Sequence, residues 1–157
     1  MDLINNSISN ILKDILKTIS RLGTVEFFII IIFITYTLEF EKLTKQLIVG
    51  LLIMTFIAIP IRYYLFKERP NKIKYSNFLE KIKASSFPSM HSARFGFIVT
   101  AVYISTKNIS LLFVLLSLFG LLVFQRVYEK KHDMYDIIGG IILALTTLLF
   151  IVNIKGF

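Results

Sequence analysis

From residue 25 to residue 154 the chain is a series of apolar runs broken by short polar stretches, and this alternation limits its fold more than any other feature. Five runs can be marked, at 25–40, 47–66, 88–106, 109–125 and 134–154. Each is close to the roughly 20 residues that a helix needs to cross a bilayer. A chain of 157 residues that is 55% apolar, with a mean hydropathy of +0.73, is too apolar for a soluble domain of its size. The expected fold is all-α: an integral membrane helical bundle of five transmembrane helices plus an N-terminal amphipathic helix. It is read as one domain over 1–157, with an interfacial helix over 1–22 and the bundle over 23–157.

The interfacial helix is read from its period. Ile4, Ile8, Ile11, Leu12, Ile15, Leu16 and Ile19 form one face, and Asn10, Lys13, Asp14, Lys17 and Arg21 the other. Such a helix lies in the membrane surface or packs on the bundle; as a span it would turn charges toward lipid. The first residues lack the basic-then-apolar order of a secretory signal. Between the runs, Glu41 to Lys45 reads as a polar turn. Pro60 is expected to kink the second span, and Pro88 to occupy the first turn of the third. Lys107 and Asn108 read as a tight turn, and Gly139-Gly140 as a close helix contact. The net charge of +8 flanks the spans, so anionic lipid is the natural partner and nucleic acid a poor one. With no cysteine, thiolate chemistry is excluded.

Connectivity brings the chemistry to one side. With five spans, the end of the second, the start of the third, the end of the fourth and the start of the fifth share one membrane face. Arg62, Arg69, His91, Arg126, His132 and Asp136 all fall at those ends, and His91 and His132 are the chain's only histidines. Helix N-termini present unpaired N–H groups that favour an anion. His132 and Asp136 are four apart, a helical spacing that lets a carboxylate hold one ring nitrogen and leave the other free. Arg126 would lie about 120° away from His132 on one unbroken helix, so a break is expected between them. Together these residues suggest a phosphate site. Glu129 and Asp133 read as solvated, and no metal cluster is evident.

Three pieces carry a resemblance: Arg62 with Arg69-Pro70, Pro88-Ser89-Met90-His91, and Arg126 with His132 and Asp136. In order and spacing they resemble the three-part motif of the type 2 phosphatidic acid phosphatase (PAP2) superfamily, Lys-x6-Arg-Pro, Pro-Ser-Gly-His and Ser-Arg-x5-His-x3-Asp. The likeness covers roughly residues 60–140. Arg62 stands for the family's lysine, Met90 for its glycine and Gln125 for its serine. The resemblance implies a metal-independent, cofactor-free lipid phosphatase. In it His132 attacks phosphorus, Asp136 orients and stabilises the ring, and His91 protonates the leaving oxygen and then activates water. Arg62, Arg69, Ser89, the Met90 N–H and Arg126 hold the phosphate, and Arg94, one turn beyond His91, is a further candidate. A polyprenyl diphosphate is the favoured substrate, with phosphatidic acid or phosphatidylglycerophosphate as alternatives and a lipid-binding scaffold as the non-enzymatic reading. The resemblance implies a cell-membrane protein whose site faces outward, whereas the lysines of the 71–87 loop would be placed inside by charge bias.

Overall fold

The computed structural model describes Ile11 and residues 14–154. Among them every regular element is helical. In chain order these are α1 (Asp14–Gly23, ending in the 3₁₀ turn Arg21–Gly23), α2 (Val25–Thr37), α3 (Glu41–Tyr64), α4 (Phe78–Ala84), α5 (Met90–Thr106), α6 (Ile109–Tyr128) and α7 (Met134–Val152). Side chains set many of the boundaries. Thr24, Asn77, Ser89, Asn108 and Asp133 each accept a backbone N–H as the N-cap of the helix that follows.

Two boundaries differ from expectation. The stretch Glu41–Lys45 is the first turn of α3 and not a connection; the connection is three residues earlier, where Glu39 takes a φ of 60°. An acidic residue suits a helix N-terminus, and Glu41 pairs with Lys45 one turn on at 3.6 Å. Pro88 lies outside α5: Ser89 is the cap and Met90 the first helical residue. α3 runs on as one helix through Pro60 to Tyr64. Lys107, in the left-handed region at φ 52°, and Asn108 do make the α5–α6 turn.

α5 is the central helix, packed against α7, α3, α6, α2 and the end of α1. Phe28, Leu47, Met54, Phe95, Phe97, Leu122 and Ile151 are buried around it. The α5–α7 approach depends on Gly140, where a Cβ would collide with the Ser89 carbonyl oxygen and lie 3.1 Å from the Ala93 nitrogen. Of the N-terminal apolar face, Ile4, Ile8 and Leu12 lie outside the described residues. Leu16 is buried and Ile19 packs on the core, while Ile11 and Ile15 are exposed.

The outer surface is apolar. Phe33, Phe56, Phe113, Leu149 and Phe150 all point outward, and only 17% of the most apolar stretch of α6 is buried. Contiguous exposed apolar surface on this scale marks a lipid-facing protein. α3, α6 and α7 are long and apolar enough to cross a membrane, and the pair α1–α2, bent by 62°, makes a fourth if it counts as one span. α5 has 17 residues, hence about 26 Å of helix against about 30 Å of hydrocarbon.

Candidate active site

Four separated segments meet at one end of the bundle: the end of α3 with the loop after it, the Ser85–Met90 approach to α5, the end of α6, and the start of α7. Backbone and side-chain bonds hold them together. The Ser89 N–H donates to the Asp136 carbonyl at 2.9 Å, and Arg62 Nη2 donates to the Pro88 carbonyl at 2.7 Å. The His132 N–H donates to the Arg126 carbonyl at 3.3 Å. The six residues that connectivity assigned to one face therefore share one end of the molecule.

The chain breaks between Arg126 and His132, as their spacing required. α6 ends at Tyr128 and α7 begins at Met134, so His132 sits in the connection. His132 and Asp136 thus meet by a different route from the helical face that was expected. Asp133 caps α7 in a reciprocal box with Asp136, in which each residue's N–H donates to the other's carboxylate at 3.0 Å. The box turns His132 back over the helix end. Its Nδ1 lies 3.6 Å from Asp136 Oδ2, with both side chains almost wholly buried. Nδ1 faces the carboxylate, so Nε2 is the nitrogen left over. Burial pushes the His132 imidazole below its ordinary value; the Asp136 carboxylate opposes this, and Arg69 and Arg62 add to it.

Four arginines surround the histidines, and each is anchored by a backbone carbonyl. Arg62 donates to Ile82 and Pro88, Arg69 to Lys83, Arg126 to Ser20 and Arg94 to Gly23. The Nε of each is buried and meets no acceptor among the described residues. The last two anchors bring the end of α1 onto the site, and a Cβ on Gly23 would lie 2.6 Å from that of His91. Met90 is helical and not at positive φ, so the position needs none of glycine's freedom and offers a helix N-terminal N–H. The Ser89 hydroxyl caps α5 and lies 3.0 Å from that of Ser92.

Three participants were not foreseen. Lys67 Nζ lies 2.5 Å from Asp133 Oδ2 and 2.8 Å from Asp136 Oδ1. Ser86, fully buried, donates to Asp136 Oδ1 at 3.3 Å. Asp133, read as solvated, is instead a helix cap and an ion-pair partner. The only hint in sequence was that Lys67 stands two residues before Arg69.

A sequence model of the PAP2 superfamily matches residues 43–156, a span that includes every one of the motif residues. The chain belongs to the PAP2 superfamily. It is accordingly a hydrolase of the phosphatase type. Among solved structures it is similar to LpxE from Aquifex aeolicus, with a TM-score of 0.77 and 18% identity over 97% of this chain and 92% of that one. At that identity the likeness is one of fold. Among curated protein sequences none matches. The PAP2 motif residues are those gathered at the end of the bundle.

Proposed function

We propose that this PAP2 protein removes a phosphoryl group from a membrane lipid through a phosphohistidine on His132. The observation that carries the reading is the convergence of both histidines, four arginines and Asp136, from separate segments, at one end of an otherwise apolar bundle. His132 Nε2 attacks the terminal phosphorus and its bond to the leaving oxygen breaks, that oxygen being the lipid's own in a monoester and the bridging one in a diphosphate. His91 gives its proton to that oxygen. Water, deprotonated by His91, then attacks phosphorus, the P–N bond to His132 breaks, and inorganic phosphate leaves. Asp136 stabilises the charged ring. Arg62, Arg69 and Arg126, with the Met90 N–H and Ser89 at the α5 N-terminus, neutralise the phosphoryl oxygens, so the charge balance calls for no metal.

A polyprenyl diphosphate is the favoured substrate. An apolar groove of about 400 Å³ lies between α2 and α3, lined by Val25, Leu51, Leu52, Thr55, Phe56 and Ile59, with Arg94 at its head. A groove of that size accommodates a single chain, and an isoprenoid has one tail where phosphatidic acid has two. Arg94 then faces the second phosphate. The test is phosphate release in detergent with EDTA present, comparing a prenyl diphosphate with phosphatidic acid and phosphatidylglycerophosphate. Preference for the diphosphate is expected; equal or better release from either diacyl lipid would give the substrate to that class. Five crossings, with α5 enclosed as the third, and an outward-facing site complete the reading. Protease cleavage of the 71–87 loop from outside oriented vesicles is the expected result.

A further inference from the structure

We propose that Lys67 is a positioning residue for phosphoryl transfer: it holds the Asp136 carboxylate in place and limits how strongly that carboxylate charges the His132 ring. The inference rests on His132 as nucleophile. The geometry is specific. Asp136 is fully buried, and its two oxygens are divided between partners. Oδ1 accepts from Lys67 at 2.8 Å and Ser86 at 3.3 Å; Oδ2 accepts from the Asp133 N–H at 3.0 Å and lies 3.6 Å from His132 Nδ1. A second carboxylate, Asp133, meets the same ammonium. Without Lys67, two carboxylates would crowd one helix start with a single imidazole to share them, and like charges at that range repel.

Lys67 is also fixed from behind. Its carbonyl accepts the Ser86 N–H at 2.8 Å. The residue therefore couples the loop that carries Arg69 to the helix start that carries Asp136. Burial works against its ammonium, but the bonds to Asp133 and Asp136 outweigh this and hold Lys67 above the ordinary lysine value. It stays charged across the working range.

Charged and titratable groups gather around the two histidines: Asp133 and Asp136 at α7, Arg62 of α3, Lys67 and Arg69 of the following loop, Arg94 of α5, Arg126 with Glu129 at the end of α6, and the His91 and His132 rings themselves. Within that field, removing the Lys67 charge leaves Asp136 free to favour the imidazolium. Removing the Asp133 charge does the reverse. Asparagine caps a helix as well as aspartate, so Asp133→Asn changes charge and keeps the cap.

The experiment measures kcat and KM against pH for the full chain in detergent, on the lipid phosphate that the screen above finds best. For Lys67→Met we expect kcat to fall about 10- to 100-fold, KM to change less than about threefold, and the acid limb to move up by roughly one pH unit. Lys67→Arg should restore the limb and most of kcat; Asp133→Asn should move the limb down. A Lys67→Met enzyme with its acid limb unmoved and only KM raised would make Lys67 a loop staple and overturn the proposal. Should that variant not fold, an unmoved or upward-moved limb in Asp133→Asn overturns it equally. His132→Ala is run alongside. Undiminished release by that variant would remove the nucleophile reading itself, a failure separate from that of Lys67.

Discussion

As the proposed nucleophile His132 has to be neutral, and its surroundings favour that form. Burial holds the ring below the ordinary histidine value of about 6.5, with Arg69 and Arg62 adding to the effect and Asp136 offsetting part of it. The sign follows directly. As pH falls, the ring protonates only below its ordinary value, so the acid limb of kcat/KM should be centred below 6.5. A pH–rate profile checks this; an acid limb centred above 6.5 would contradict it. His132→Ala should lower kcat by at least about 10³-fold, and Asp136→Asn by about 10²- to 10⁴-fold, both measured as phosphate release. Residues of this kind were legible because their types and spacing were informative in one dimension. Lys67 and Ser86 were not, since their partner Asp136 lies 69 and 50 residues away in sequence and is reached only after the helices pack.

Helix ends, more than helix bodies, set the geometry here. The Ser89 cap, the Met90 N–H and the Asp133–Asp136 box are all terminal features, and the α5–α7 approach at Gly140 locks two of these ends together. Gly140→Leu should force the ends apart, because the obstacle is the backbone at Ser89 and Ala93 and not a movable side chain. A loss of about 1–3 kcal/mol is expected, read as a lower Tm in detergent, with activity falling more than folding does. The apolar runs were readable element by element because lipid imposes length and polarity on them. Their ends were less so. Glu41–Lys45 is polar in composition yet helical, since an i, i+4 ion pair and the helix dipole favour that turn. The proline before Ser89 suggested a helix start, but serine is the better cap and took that position.

At the scale of the whole molecule, the proposed function divides the work between an apolar outer surface for the tail and a cationic end for the phosphate. Lipid contacts the sides, where residues such as Phe113 and Leu149 are exposed, and both histidines, four arginines and Asp136 gather where four segments close over the helix starts. The groove between α2 and α3 joins these two regions, because its apolar walls end at Arg94, whose guanidinium is anchored on the Gly23 carbonyl beside His91. A tail lying in that groove contributes binding energy without touching phosphorus. Filling the groove should therefore weaken long-tailed substrates and spare soluble ones. Leu52 is half exposed on the groove wall, so Leu52→Trp adds bulk there without entering the core. We expect KM for a long-chain prenyl diphosphate to rise about tenfold, equivalent to about 1.4 kcal/mol of lost binding. Turnover of a short, water-soluble phosphomonoester should stay within about twofold, because no residue around phosphorus has changed. Equal losses on both substrates would mean that the tail travels elsewhere, and the smaller apolar cleft between α5, α6 and α7, lined by Gly96, Phe119 and Ala144, would then be the route to block next.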